Sequence, residues 1–278
     1  MLVGSQGLES GRAPGLGRFV LEGYGRRSLG ALGLLIFAGA AVGYRWSDLV
    51  DTSGVLDLLL LAIWVGMAAA ITWRVRARYD LRLLLVGLVG GGMIEWWGTN
   101  TGLWSYFTDE RPPLWILPAW PAAALTIDRG RTLLERLVDH GGRCPAGRFR
   151  VAYYLLLPGF AVWMGSFLAP SLDRGASWVV VGLMSLVALR CPSPKRDVLL
   201  FVSGTVAGLF LEYWGTSREC WTYYTRQIPP PVTVAAHGFA SVAFARVADA
   251  VERWEGSAVR GLGSLRTLGL LSSASDRG

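Results

Sequence analysis

Hydrophobic positions in this chain fall into eight long runs, near 28–46, 55–73, 81–97, 113–127, 151–169, 176–190, 197–214 and 230–246. Short polar connections separate them. Several runs sit at the short end of the ~17–25 residues that cross a bilayer as a helix. Their number and alternation predict an all-α, polytopic integral membrane bundle of about eight transmembrane helices. A soluble protein of buried helices is the alternative, and composition weighs against it. The 278 residues are 52% hydrophobic and 17% charged, with a mean hydropathy of +0.39. Soluble domains carry about a quarter charged residues.

The second half of the chain repeats the first. Asp80–Arg136 aligns with Asp197–Arg253 at a constant offset of 117, without a gap, and 19 of 57 positions are identical. The stretch IEWWGTNTGLWSYFTDERPP, from Ile94, returns as LEYWGTSRECWTYYTRQIPP, from Leu211. Each half then holds four spans, and an even number returns the chain to its starting side. The expected architecture is two parallel four-helix repeats about an axis along the membrane normal. The divisions are a tail at 1–27, membrane repeats at 28–138 and 139–255, and a flexible tail at 256–278. The first tail carries a short interfacial piece around Phe19–Leu21 and no secretory cleavage signal. The stretches RTLLERLVDH and ARVADAVERW are expected to carry the fourth and eighth helices beyond the membrane.

Charge sets the orientation. With the N-terminus cytoplasmic, 22 of the 27 Lys and Arg residues fall in inside segments and five outside. This positive-inside pattern places both termini in the cytoplasm and the chain in the plasma (inner) membrane of a bacterial cell. The net charge of +7 then serves topology and anionic lipid, not nucleic acid. Cys144 and Cys191 fall inside and Cys220 outside, so no structural disulfide is implied. Two histidines and no C-x-x-C leave no expected metal site.

Candidate chemistry lies in the repeat. Gly87-x-x-x-Gly91-x-x-x-Glu95 and Gly204-x-x-x-Gly208-x-x-x-Glu212 put two glycines and an acid on one helix face. Small residues there admit a neighbouring helix, so each glutamate continues a protein-facing surface. A carboxylate in that place costs a few kcal/mol, and the expectation is a protonated acid serving as proton donor or polar anchor. Locking the bundle by hydrogen bonds is the structural alternative. Trp97, Trp104 and Tyr106, with Trp214, Trp221 and Tyr223, keep their spacing from the acids beyond what an interfacial belt requires. Such π-faces suit a developing cation. Thr99 and Thr216 complete the expected substrate contacts. His237 stands where the first repeat has Trp120; it either makes a structural hydrogen bond or relays a proton and renders the half-sites unequal. Asp80 and Asp197 suit helix N-caps, and Arg129 and Arg246 suit cytoplasmic helix ends. The prolines at 112–113, 118, 121 and 229–231 stiffen the entries to the following helices.

Glu95-x-x-Gly98-x-x-Thr101-Gly102-x-x-x-Tyr106-x-Thr108, followed by Pro118-Ala119-Trp120, resembles the carotenoid hydratase group of membrane enzymes. The acid, Gly, Trp and Tyr pattern on repeated hairpins also resembles the small membrane lycopene cyclases. Where those cyclases carry a proline and paired glutamates, this chain has Pro118-Ala119-Trp120 and Ala235-Ala236-His237. The resemblance implies a lyase or isomerase of carotenoid biosynthesis that protonates an isoprenoid double bond, then adds water or loses a proton. It implies no cofactor. Glu95 or Glu212 would be the acid, and Trp97, Trp104, Tyr106 and their copies the walls. The expected partners are membrane lipid and a long apolar isoprenoid. A proton-coupled or small-solute transporter and a non-catalytic membrane scaffold are the alternatives.

Overall fold

The computed structural model describes residues 15–45, 55–142 and 145–267. It is 79% helical, so the protein is all-α. The helices are α1 (Leu16–Leu21), α2 (Arg26–Arg45), α3 (Val55–Thr72), α4 (Ala77–Asn100), α5 (Ala119–His140), α6 (Ala146–Leu168), α7 (Gly175–Leu189), α8 (Pro194–Ser217) and α9 (Pro231–Thr267). Two three-residue strands, β1 (Trp104–Tyr106) and β2 (Trp221–Tyr223), interrupt them. A helix thus forms at or beside each of the eight predicted apolar runs. By length and composition, Ala77–Asn100, Ala146–Ser171, Pro194–Ser217 and Pro231–Ser257 suffice to cross a membrane. Among the described residues these four helices suggest a membrane protein.

Two hairpins form the centre. The α4–β1–α5 unit and the α8–β2–α9 unit pack together, with α5 on α8 and α4 on α9. The glycine faces do what their spacing predicts. A Cβ on Gly204 would lie 2.7 Å from the backbone of Gly238, and one on Gly87 would lie 3.2 Å from that of Pro121. Only a missing side chain lets α8 approach α9, and α4 approach α5, so closely. Around this centre α6 lies on α8 and α9, α7 on α6, α3 on α5 and α2 on α3.

The α4 and α8 starts differ from the N-cap expectation. The caps are Arg76 and Ser193, and Asp80 and Asp197 sit one turn inside. The helices begin earlier because Ala77–Tyr79 and Pro194–Arg196 wind as well; Pro194 fits a first-turn position. Each aspartate instead pairs with the arginine 49 residues on: Arg129 Nη2 donates to Asp80 Oδ2 at 2.6 Å, and Arg246 Nη2 to Asp197 Oδ2 at 2.9 Å. Both arginines also reach a carbonyl near the end of a neighbouring helix, Trp73 after α3 and Val187 in α7. These pairs tie the ends of the hairpins far from the loops. Asp128 joins them, fully buried and bonded to Arg76, Arg129 and Arg131.

The tails differ in part from their expected boundaries. The interfacial piece is helix α1, held where Trp73 Nε1 donates to the Val20 carbonyl at 2.9 Å. At the other end α9 remains helical to Thr267, past the 255 boundary, because the amphipathic pattern continues beyond the apolar run. Residues 1–14, 268–278 and Cys144 lie outside the described part.

Candidate functional site

α4 and α8 end alike. At α4, the Leu103 N–H bonds to the Gly98 carbonyl and the Gly102 N–H to that of Thr99; at α8, Cys220 and Glu219 bond to Gly215 and Thr216 in the same way. This is a Schellman closure, which turns the chain sharply off the helix axis. It needs a left-handed residue, and Gly102 (φ 75°) and Glu219 (φ 55°) take it. The chain then runs straight back over its own helix end as β1 or β2.

The two returning segments meet. β1 and β2 pair antiparallel, with Trp104 opposite Tyr223, Ser105 opposite Thr222 and Tyr106 opposite Trp221. Ser105 therefore faces its own counterpart at offset 117. The flanking bonds match: the Phe107 N–H donates to the Cys220 carbonyl at 3.2 Å, and the Tyr224 N–H to that of Leu103 at 3.0 Å. Such a reciprocal contact is isologous, as in a two-fold dimer.

Each strand delivers its aromatics to the acid of its own half. Trp104 Nε1 and the Tyr106 hydroxyl donate to Glu95 Oε2 at 3.0 and 2.7 Å. Trp221 Nε1 donates to Glu212 Oε2 at 3.1 Å, and the Tyr223 hydroxyl lies 2.8 and 2.9 Å from the two Glu212 oxygens. The glycine between acid and tryptophan makes this reach feasible. A Cβ on Gly98 or Gly215 would lie 1.8 Å from the ring of Trp104 or Trp221, so each indole lies flat on a bare helix surface one turn past the glutamate.

A third donor comes from the next helix. Trp120 Nε1 on α5 donates to Glu95 Oε1 at 3.0 Å. At the matching place on α9, His237 Nε2 is 3.0 Å from Glu212 Oε1. The two trios interlock. Trp104 meets Tyr223 at 6.0 Å between ring centroids, Tyr106 meets Trp221 at 6.1 Å, and Trp120 stacks on His237 at 5.8 Å. Both glutamates are buried at 4% exposure. Two acids and six rings thus form one polar island in an apolar bundle. The sequence marks Trp120 as the counterpart of His237 and as part of the Pro118-Ala119-Trp120 motif, but not as a donor to Glu95; the offset alignment with His237 is the signal that points to it.

The phenols hold fixed roles. Burial, then the neighbouring Glu95 carboxylate, pushes the Tyr106 hydroxyl far above its ordinary 10.0. Burial and Glu212 push Tyr223 well above it too. Both therefore stay protonated and act as donors. His237 is different in kind from Trp120: an indole N–H only donates, whereas a histidine nitrogen either donates or accepts.

The island closes one end of a cleft of about 1590 Å³. Its walls are α4 and α7 and its floor is α9, with apolar side chains from Leu85 to Met93 and from Val179 to Met184. Along α4 it runs from Arg82 to Trp97, about 22 Å at 1.5 Å per residue. Trp97 seals the island end, where its Nε1 donates to Ser177 Oγ on α7 at 3.1 Å. Of the expected site residues, Glu95, Glu212, His237, Trp97, Trp104, Tyr106, Trp221 and Tyr223 line this cleft. Thr99 and Thr216 turn their hydroxyls back onto the Glu95 and Glu212 carbonyls, at 2.7 and 2.6 Å. Neither lines the cleft, nor does Trp214, whose buried Nε1 has no partner among the described residues. Trp96 and Trp115 are about half exposed, as an interfacial belt requires. Among the described residues no three His, Cys, Asp or Glu side chains gather to hold a metal ion.

Comparison with known protein families, characterised proteins and solved structures gives no match.

Proposed function

We propose that this protein is a polytopic enzyme of the plasma (inner) membrane that protonates a carbon–carbon double bond of a long isoprenoid, using no cofactor. In this reading the chain crosses the bilayer eight times as two parallel four-helix repeats, with both termini cytoplasmic and the β1–β2 loops outside. The observation that carries it is the paired-acid island at the closed end of a long apolar cleft. A chain entering sideways from lipid would lie along α4 and present one end to the glutamates and their aromatic walls.

The two acids take different parts. Glu95 is held by two indoles and a phenol, all of which donate. That set fills both Glu95 oxygens with donors and offers no group that takes up or returns a proton. Glu212 has His237 in the third place, and a histidine nitrogen also accepts a proton. Glu212 is then the acid: it gives its proton to the terminal alkene carbon, and the π-faces of Trp221, Tyr223 and Trp104 stabilise the tertiary cation. Loss of a neighbouring proton or addition of water completes the reaction and returns a proton to Glu212. The fully hydrogen-bonded island and lateral cleft favour this over a transporter, which needs an aqueous path through the bundle.

The test is isoprenoid conversion by the purified protein in lipid nanodiscs. Glu212→Gln keeps the shape and two donors' partners but has no acidic proton, so turnover falls by at least 10²-fold while the melting temperature stays within a few degrees. Wild-type turnover in the Glu95→Gln, Glu212→Gln double variant would make the island structural.

A further inference from the structure

A second cavity lies on the other side of the island. It holds about 350 Å³ and opens at the loop surface, lined by Ser105, Asp109, Glu110, Arg111 and Arg226 among others. That is room for on the order of ten water molecules. Three side chains line both this vestibule and the cleft: Trp104, Tyr106 and Tyr223. They are the same side chains that donate to Glu95 and Glu212. A wall one residue thick therefore separates polar, solvent-facing space from lipid-facing space, and the acids hang on its inner face.

We infer that the vestibule is the water entrance of the site, feeding the glutamates past the Tyr106 and Tyr223 hydroxyls from the loop side while substrate enters through the cleft. The inference rests on the proposed isoprenoid chemistry and narrows it to hydration. Charged side chains such as Arg82, Arg196 and Asp249 line the far end of the cleft, but the stretch between them and the glutamates, from Leu85 to Met93 and from Val179 to Met184, is apolar, so water has no favourable route along it. The vestibule side is suited to carry it: Ser105 is exposed, Thr222 partly so, and both stand on the sheet face opposite the buried Trp104 and Tyr106. Asp109, Glu110, Arg111 and Arg226 give water polar partners along the vestibule lining.

The step balances without a redox partner. Glu212 transfers its proton to the less substituted alkene carbon, which forms a C–H bond and leaves a tertiary cation. A water from the vestibule supplies the electron pair for the new C–O bond. The surplus water proton returns to Glu212 through His237, and the product is a tertiary alcohol: alkene plus water, nothing else consumed.

Two readouts test this. The first needs no substrate. With ¹⁵N-tryptophan protein in nanodiscs transferred to D₂O, the Trp104 indole N–H should exchange at least tenfold faster than that of Trp97, which lines the cleft alone. Ser105→Trp, which fills the vestibule from above, should slow Trp104 at least tenfold and leave Trp97 unchanged. Thr222→Trp repeats the plug from the other strand if the first variant folds poorly. Equal exchange at the two indoles, or no effect of either plug, overturns the water route. The second readout is product: a plugged variant should make at least tenfold less alcohol while still forming the deprotonated isomer. If wild type converts no isoprenoid, the enzyme reading falls, and the exchange experiment decides the water route by itself. If plugged protein makes alcohol at the wild-type rate, water enters elsewhere.

Discussion

Trp120 and His237 stack face to face, with ring centroids 5.8 Å apart and planes 16° from parallel, while each uses a ring nitrogen to hold a different glutamate. They occupy matching places in the two hairpins, 117 residues apart. The tryptophan and tyrosine donors from β1 and β2 are matched in kind, so this pair is where the donor sets of the two acids differ chemically.

His237→Trp tests the inequality. The new indole matches what Trp120 already does for Glu95, donating without accepting. Proton transfer through this position ceases, and turnover should drop by about 10²–10⁴-fold with Glu212 still hydrogen-bonded. His237→Gln keeps a polar contact but no titrating group and should be equally slow. A wild-type rate in both variants, measured alongside melting curves, would reduce His237 to a packing residue.

Helix approach gives a prediction about stability with an internal control. A Cβ on Gly208 would lie 2.7 Å from the Val234 carbonyl oxygen and 2.8 Å from His237 Cβ, whereas one on Gly92 meets only Leu117, at 3.7 Å. Gly208→Ala should therefore cost about 1–3 kcal/mol by overpacking, and Gly92→Ala should stay within about 0.5 kcal/mol of wild type. Thermal unfolding in one detergent compares the two directly. Equal melting temperatures would mean that α8 and α9 yield more readily than their backbone contact implies.

Alkaline pH should loosen the island. Tyr106 and Tyr223 have folded values raised above the ordinary 10.0 by burial and the adjoining acids. The native state thus keeps two phenol protons that the unfolded chain gives up. Their stabilising effect is complete below pH 10 and declines as pH rises above it. The melting temperature should fall above pH 10, and the fall should be shallower in the Tyr106→Phe, Tyr223→Phe double variant. That variant should already be less stable at neutral pH, by about 1–3 kcal/mol for each carboxyl oxygen that loses its donor.

Part of this site is legible in sequence because its signals are local. Glu95, Gly98, Trp104 and Tyr106 span one helix turn and a tight loop, and the spacing recurs intact at Glu212. The glycine faces are legible for the same reason, since four-residue spacing maps directly onto a helix surface. The β1–β2 ladder is not. Three-residue strands carry too little alternation to stand out, and their partners lie in the other half of the chain. The Asp80–Arg129 and Asp197–Arg246 pairs were individually visible but unpaired, because a helix start displaced by one turn turns an apparent cap into an ion-pair partner. Asp128 gave no signal at all: it has no counterpart at position 245, which is Ala.

Ser105 opposite Thr222 has a meaning outside catalysis. A strand that lies against its own equivalent needs no second protein to define the contact; a half-length chain bearing one such loop would recognise another copy of itself by the same ladder. The two central hairpins meet as the subunits of a two-fold dimer do, although the outer helices pack differently, α3 on α5 but α7 on α6. In two identical chains any substitution appears twice. Within one chain each copy accepts its own, and the opposed positions 120 and 237 carry an indole on one side and an imidazole on the other.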